Sequence, residues 1–252
     1  MNLFLFAHQD DEYGVFPVLE KLVAQGEAVS VVYLTSGTLD GQPSERRNQE
    51  SIGVLGRIGV TERNIHFAGT DHGFPDGQLH RHVEAGARAV LALFSPADTP
   101  TRIFTPAWEG GHQDHDATYI IACYLAQKYR CLESSRQFPL YNGRGLRGSL
   151  WHTFLPLADN GPIHSTRLSW GQRLRYLRYC LHYRSQWPTW LGLYPMYALR
   201  LFTDGRQYLQ PLRPQRLLDA PHPGPSLYQR RGFCNSDQFG YHTRALVAKI
   251  TR

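Results

Sequence analysis

Two short clusters of ionisable side chains lie far apart in this chain of 252 residues. The first is His8-Gln9-Asp10-Asp11-Glu12, and the second is His112-Gln113-Asp114-His115-Asp116. Imidazole nitrogens and carboxylate oxygens are ligands that zinc accepts, and a catalytic zinc usually keeps three protein ligands and one open position. The clusters therefore predict a metal site, provided that the fold brings them together.

The residue types also indicate the chemistry of such a site. In an extended turn, His8 and Asp11 can reach one point, and either His115 or His112 can supply a third ligand. A carboxylate left beside the metal can take a proton from water, whose pKa a bound metal lowers. The remaining histidine can stabilise an oxyanion or protonate a leaving amine. A purely structural alternative exists, because an aspartate that follows a strand often caps the next helix.

The elements that must position these residues follow an α/β pattern. Short apolar runs predict strands at 2–7, 28–35, 65–68 and 102–106, and helical spacing predicts helices at 15–25, 43–56, 83–94 and 116–128. This alternation predicts a Rossmann-like open parallel sheet with helices on both faces. Each cluster follows a predicted strand, so both lie at the carboxyl edge of the sheet, where such folds bind ligands.

The pattern weakens after residue 128. We predict a strand at 150–155, a helix at 168–183, loops over 205–230 and a late strand at 245–250. We expect a single domain over 1–252, with a Rossmann-like core at 1–128 that holds both clusters. Residues 129–252 would then be an arginine- and aromatic-rich C-terminal extension of that domain.

Charge is distributed unevenly along the chain. Residues 1–126 carry 8 Lys and Arg against 16 Asp and Glu, whereas residues 127–252 carry 19 against 5. Arginine, which suits planar recognition of carboxylate and phosphate, accounts for 24 of the 27 cations. The asymmetry favours an anionic substrate or partner. A hydrophobic content of 42% with 19% charged residues excludes an intrinsically disordered chain.

Targeting and redox signals are sparse. The four cysteines form no C-x-x-C pair, so we expect reduced thiols in a cytoplasmic protein. The apolar run at 3–7 is too short for a signal peptide. The longest apolar stretch, 185–199, is shorter than the roughly twenty residues of a membrane span. We expect no transmembrane segment, and the sequence leaves peripheral contact with a membrane open.

Both clusters resemble signatures of the LmbE-like family, which includes the N-acetylglucosaminyl-phosphatidylinositol de-N-acetylases and the deacetylases of the mycothiol and bacillithiol pathways. The family's usual forms are A-H-P-D-D-E and H-P-D-H, and this chain has A-H-Q-D-D-E at 7–12 and H-Q-D-H at 112–115. Further matches, in the family's order, are T-S-G at 35–37, R-N-Q-E at 47–50 and G-F-P-D-G at 73–77.

The resemblance implies a role for each matching residue. His8, Asp11 and His115 match the ligands of a Zn²⁺ ion, for which another divalent metal such as Fe²⁺ is an alternative. Asp10 matches the general base that activates water. His112 matches the residue that stabilises the tetrahedral intermediate and protonates the departing amine.

Other matches concern the surroundings of the metal. Asp114 resembles a residue that orients a ligand histidine, and Arg47 and Asp76 match positions that contact the sugar substrate. Gln9 and Gln113 depart from the family, since each replaces a proline. A proline fixes the backbone φ angle, so these two turns are expected to be less rigid.

The resemblance implies a zinc-dependent hydrolase that removes an N-acetyl group from an amino sugar or glycoconjugate, in which an anionic substrate would suit the arginine excess. One alternative is a zinc amidase that acts on a different amide conjugate. Another is a non-catalytic binder of an anionic glycan or nucleic acid through residues 173–179, where arginine and tyrosine alternate. We expect no nucleic-acid partner, because this segment has amphipathic helical spacing. The oligomeric state stays open.

Overall fold

The computed structural model describes residues 1–39, 43–95 and 98–251. The strands of the described chain are β1 (Asn2–Phe6), β2 (Val29–Tyr33), β3 (Ile65–His66), β4 (Arg102–Pro106), β5 (Arg136–Phe138), β6 (Tyr141–Asn142), β7 (His152–Thr153), β8 (His164–Arg167) and β9 (Arg206–Pro211). The α-helices are α1 (Phe16–Ala24), α2 (Glu45–Ile58), α3 (Ala68–Asp71), α4 (Val83–Leu93), α5 (Gln113–Lys128), α6 (Trp170–Cys180), α7 (Trp187–Thr203), α8 (Leu227–Arg230) and α9 (Ser236–Ile250).

Seven strands form one sheet in the order β3-β2-β1-β4-β5-β9-β8. The first five are parallel to one another, β9 is antiparallel to β5, and β8 is antiparallel to β9. Strands β6 and β7 pair separately as a short antiparallel ladder. The predicted Rossmann-like open sheet is therefore confirmed, with an antiparallel edge supplied by the second half of the chain.

The strand order reverses beside β1. The chain passes from β1 to its neighbour β2 and on to β3, and then returns to the other side of β1 as β4. In the register of the sheet, Phe4 lies opposite both Val31 and Phe104. A crevice opens at the carboxyl ends of strands where the order reverses. The two ionisable clusters follow β1 and β4 at this point.

Helices cover both faces of the sheet. Along β1, Leu3 and Leu5 point to one face and pack with side chains of α4, α5 and α9. Phe4 and Phe6 point to the other face and pack with side chains of α1, α2, α6 and α7. Burial of both faces explains why the strand is apolar at every position rather than at alternate ones.

The C-terminal region differs from the prediction. Residues 245–250 form the end of helix α9 rather than a strand, and the predicted loop at 205–230 contains strand β9. Helix α9 begins with a capping box, in which Asn235 accepts a hydrogen bond from the Gln238 N–H at 2.8 Å and the Gln238 side chain accepts one from the Asn235 N–H at 3.3 Å. This start and the helix formers Ala245, Leu246, Ala248 and Lys249 favour a helix over the two β-branched residues of the segment, Val247 and Ile250.

The predicted helix at 168–183 is observed as α6, which Ser169 caps. Tyr176 and Tyr179 are buried, and both rings contact Phe16. Arg175 forms an ion pair with Glu20 at 2.7 Å. The tyrosines of this segment therefore pack in the core and do not present faces on which nucleic-acid bases could stack.

Other parts of the second half also differ from expectation. The predicted strand at 150–155 is reduced to β7, and the apolar stretch at 185–199 lies almost wholly within the unpredicted helix α7. Within the described residues, no helix combines the length and apolar character needed to cross a bilayer. The extension supplies β5, β8 and β9 to the same sheet as the core. A single domain over 1–252 stays a prediction.

Two helical glycines give a matched test of the packing. A Cβ atom on Gly69 of α3 would lie 2.1–2.4 Å from backbone atoms of Thr35, whereas one on Gly56 of α2 would meet nothing within 4 Å. We expect Gly69→Ala to lower the free energy of unfolding by about 1–3 kcal/mol through overpacking. Gly56→Ala should raise it by about 0.5–1 kcal/mol, because alanine favours the helix. Urea denaturation followed by circular dichroism measures both, and equal effects would contradict the packing at Thr35.

Candidate active site

The turn after β1 places the first cluster. Asp11 directs Oδ2 back along the chain, where it accepts hydrogen bonds from the backbone N–H groups of Ala7 and His8, each at 2.9 Å. Asp10 has a φ angle of 129°, a strained conformation for a residue other than glycine. Glu12 supports that conformation, because its Oε2 accepts a hydrogen bond from the Asp10 N–H at 2.8 Å.

The start of α5 places the second cluster. The helix begins at Gln113, one turn before the predicted start, with His112 as its N-cap. The Nδ1 atom of His112 accepts a hydrogen bond from the Asp114 N–H at 3.2 Å. A histidine is not among the usual cap residues, which explains why no start signal is visible there in the sequence. Asp114 and His115 consequently lie in the first helical turn.

The fold brings the two clusters together. His8, Asp11 and His115 are buried and offer one ligand atom each within 4.8 Å of one another. The Nε2 atom of His115 lies 3.0 Å from Asp11 Oδ1, while its buried Nδ1 atom has no hydrogen-bond partner among the described residues. Two imidazoles and one carboxylate are a donor set that suits a divalent metal such as zinc. The residues present therefore fit the predicted ion.

A second group of possible ligands overlaps the first. His8, Asp76 and His112 also offer atoms within 4.8 Å of one another, and His8 Nε2 lies 3.1 Å from Asp76 Oδ1. Because both groups share His8, a single ion would select between them. Sequence reasoning gave Asp76 a sugar contact and missed its position beside His8. Its loop carries no local signal for that position.

Three carboxylates surround His8 and favour positive charge at this point of the site. Burial lowers the pKa of His8, but the carboxylates of Asp76, Asp11 and Asp114 outweigh burial and raise this pKa well above its usual value. Burial likewise raises the pKa of Asp11, but His115 and His8 outweigh it, so the pKa of Asp11 falls well below its usual value. Carboxylates crowded in this way require positive charge among them, which a divalent ion can supply.

Asp10 lies beside the ligands and is not itself part of either group. Burial raises the pKa of Asp10 to about 7, against the lowering effect of the Arg47 guanidinium, whose Nη2 lies 3.4 Å from Asp10 Oδ1. Arg47 is buried and also donates hydrogen bonds to the carbonyl oxygens of Gln9 and Gly37. It therefore holds the turn that carries Asp10, and its predicted contact with sugar stays a prediction.

Asp114 contacts both a candidate ligand and the loop that carries Asp76. Its Oδ2 is 3.1 Å from His8 Nε2 and accepts a hydrogen bond from the Gly77 N–H at 2.6 Å, while Oδ1 accepts one from the Leu79 N–H at 2.9 Å. One fully buried carboxylate thus contacts a candidate ligand and fixes the loop that carries Asp76.

The two glutamines that replace prolines make hydrogen bonds that a proline cannot make. Gln9 Nε2 donates to Asn48 Oδ1 at 2.7 Å and to the Ser36 carbonyl oxygen at 3.2 Å. Gln113 Nε2 donates to the Gly77 carbonyl oxygen at 3.2 Å. Each turn is tied to a neighbouring loop through a side-chain amide, which compensates for the freer φ angle of glutamine.

Two buried carboxylates near the site were not given roles from the sequence. Glu109 Oε1 accepts hydrogen bonds from the N–H groups of Leu140 and Tyr141, and Asp116 Oδ1 accepts them from Glu109 and Gly110. Burial raises the pKa of Glu109 to about 7 and that of Asp116 to about 8. Both residues fix the loop between β4 and α5. Their position within or beside the second cluster is the only sequence feature that could have suggested this structural role.

The comparison with known families agrees with this arrangement. The profile of the family described as "PIG-L: GlcNAc-PI de-N-acetylase" matches residues 3–125, a range that contains both clusters and the loop of Asp76. The match covers 123 of the 252 residues, so the first half of the chain is similar to this family.

Solved structures share the fold of the chain. A deacetylase of the teicoplanin biosynthesis pathway matches with a TM-score of 0.62 at 17% identity, over 83% of this chain and 96% of that one. The N,N'-diacetylchitobiose deacetylase from Pyrococcus horikoshii matches with a TM-score of 0.57 at 18% identity, over 84% and 82%. The zinc-inhibited form of teicoplanin deacetylase matches with a TM-score of 0.58 at 15% identity, over 83% and 95%. No curated protein sequence matches the chain.

Metal content can decide between the overlapping groups. We expect His115→Ala to lose most of the bound zinc, because it removes a ligand from the fully buried group. Asp76→Asn should keep zinc, because it alters only the second group. Elemental analysis after equilibration with zinc measures both variants. Zinc loss in Asp76→Asn with retention in His115→Ala would place the ion in the other group.

Proposed function

We propose that the chain is a zinc-dependent hydrolase that removes the N-acetyl group from an N-acetylated amino sugar or its glycoconjugate. The observation that carries the proposal is the buried convergence of His8, Asp11 and His115, with the Asp10 carboxylate beside them. Three ligands and a neighbouring base are the parts that metal-assisted amide hydrolysis needs.

Proteins of the same fold support the choice of substrate and metal. One is a deacetylase of N,N'-diacetylchitobiose, a disaccharide of acetylated amino sugars, and another acts in teicoplanin biosynthesis. Zinc inhibits teicoplanin deacetylase, which is consistent with a divalent-metal site in this fold, and the choice of zinc here rests on the histidine and carboxylate ligands. Fe²⁺ is the alternative ion for the same ligands.

His8, Asp11 and His115 would hold the ion, which when bound supplies Lewis-acid polarisation of the amide carbonyl and favours ionisation of water. Asp10 takes the proton as the oxygen of water forms its bond to the carbonyl carbon. Burial raises the pKa of Asp10, whereas a bound cation beside it would lower this pKa, so the carboxylate is ionised near neutral pH and can accept the proton. The Arg47 guanidinium, 3.4 Å from Asp10 Oδ1, favours the ionised form of Asp10.

His112 serves as the hydrogen-bond donor on the other side of the reaction. Burial, with His8 as the next cause, lowers the pKa of His112 to about 4, so the ring is neutral near pH 7. Its Nδ1 accepts the Asp114 N–H, which leaves the hydrogen on Nε2. That N–H can stabilise the oxyanion. The proton taken by Asp10 leaves with the amine as the carbon–nitrogen bond breaks, giving acetate and the free amino sugar.

The remaining residues position this machinery. Asp114 orients His8 and holds the loop of Asp76. Asp76 is 30% exposed in its side chain, which is enough to reach a sugar hydroxyl, and Arg47 lies 3.7 Å from it. We assign Asp76 to substrate contact, whereas the buried Arg47 positions Asp76 and the turn of Asp10.

The role of Asp10 can be tested with a variant that suits its backbone. Asparagine tolerates a positive φ angle better than alanine does, so Asp10→Asn removes the base without forcing the turn to change. We expect kcat to fall by about 10²–10⁴-fold while bound zinc is retained. Asp71→Asn, which alters an exposed carboxylate of α3, is the matched control and should keep full activity. An active Asp10→Asn enzyme would exclude Asp10 as the base.

Acetate release tests the reaction itself. We expect the purified protein to release acetate from N-acetylglucosamine conjugates, to lose this activity to a chelator and to regain it when substoichiometric zinc is added. The panel should contain free N-acetylglucosamine, diacetylchitobiose, a sugar phosphate and a non-sugar acetamide. Hydrolysis of the non-sugar acetamide alone would favour the amidase alternative, and no acetate from any member would contradict the proposal.

A further inference from the structure

Helix α7 exposes an apolar stripe along its length, which we call the α7 stripe. Trp187, Leu191, Leu199 and Phe202 are 55%, 60%, 56% and 48% exposed. Their separations of three, four and eight residues place them on one side of the helix. Four large apolar side chains in a continuous row form more than the scattered exposure that is normal for a protein surface.

The opposite side of α7 is apolar as well. Trp190, Leu193, Tyr197 and Leu201 are buried in the core on that side of the sheet. Arg200 is the single charged residue within the helix. A helix that packs one face on a core ordinarily turns polar side chains to water, so the α7 stripe indicates a surface that a second apolar phase covers.

The segment that contains the α7 stripe is basic, and acidic neighbours such as Glu20 and Asp204 form ion pairs with Arg175 and Arg200. Residues 160–203, which contain α6 and α7, include six arginines and no aspartate or glutamate. Arg167, Arg178 and Arg184 are exposed. Such a surface complements anionic lipid headgroups. It also disfavours a second copy of the chain as the partner, because two like-charged surfaces repel each other.

Aromatic residues mark both ends of the α7 stripe. Trp187 begins the helix, and near its end the Phe202 ring lies 5.8 Å from that of Trp170, which is 58% exposed. The Arg173 guanidinium lies 4.4 Å from the Trp170 ring. Tryptophan with neighbouring arginine is typical of helices that lie in the headgroup region, because the ring has an apolar body and a polar N–H.

We propose that the α7 stripe docks this protein on the surface of a bilayer that contains anionic lipids, with α7 lying in the plane of the interface. Docking would place the approach to the candidate metal site beside the lipid. Pro188 and Gly192 of α7 line a cavity of about 320 Å³ together with Tyr141, whose ring lies 5.5 Å from that of His115. The docking depends on no step of the proposed reaction.

Sedimentation with vesicles tests the docking in the absence of substrate. We expect the full chain to bind vesicles of three parts phosphatidylcholine to one part phosphatidylglycerol, and to bind pure phosphatidylcholine at least about tenfold more weakly. Leu191→Asp should reduce binding to the anionic vesicles by at least about tenfold, because it removes a large apolar contact. Leu191→Ser should also reduce binding. Because serine adds no charge, this loss would show that the apolar contact itself contributes to binding.

The matched control is Leu218→Asp, which makes the same change at a leucine that is 69% exposed in the short helical turn Pro214–Leu218. It should bind vesicles as the wild type does. Both variants should hydrolyse a water-soluble substrate at the wild-type rate, since neither residue belongs to the candidate site. Equal binding by Leu191→Asp and wild type, or no preference for anionic vesicles, would overturn the proposal. So would a dimer in analytical ultracentrifugation that Leu191→Asp dissociates.

Discussion

The pairing of Asp11 with His115 joins the two halves of the candidate site. One oxygen of Asp11 is fixed by the backbone N–H groups that follow β1, and the other lies 3.0 Å from the Nε2 atom of His115, in the first turn of α5. This contact is possible because β1 and β4 are parallel neighbours whose carboxyl ends meet where the strand order reverses. Asp10 lies in the same turn as Asp11, and His112 and Asp114 lie at the same helix start as His115.

The cost of this arrangement is visible in the buried charge. Asp10, Glu12, Glu109 and Asp116 are all buried, and burial raises the pKa of each to about 7 or 8. Asp10 also has a positive φ angle. Buried carboxylates and backbone strain oppose folding, so they persist where function requires them. Here backbone N–H groups donate to one oxygen each of Glu12, Glu109 and Asp116, whereas Asp10 faces Arg47.

The net charge of each half of the chain does not indicate what that half contributes to the structure. The acidic first half supplies the buried ionisable site. The basic second half completes the sheet through β5, β8 and β9 and covers one face with α6 and α7. Several of its arginines are used internally, such as Arg175 with Glu20, so the sequence count overstates the charge available to a substrate. Tyr176 and Tyr179 of α6 are likewise part of the core.

The sequence by itself determined the sheet of the first half, because its buried strands and amphipathic helices have strong periodic patterns. It also determined which residues follow β1 and β4, and therefore which could bind a metal. Only the tertiary structure decided that Asp76 lies beside His8 and that Gln9 and Gln113 tie loops together. The apolar residues exposed along one side of α7 are likewise visible only in the tertiary structure. These features depend on contacts between residues that are distant in the sequence. The local spacing of residues does not indicate which element will cover a given face.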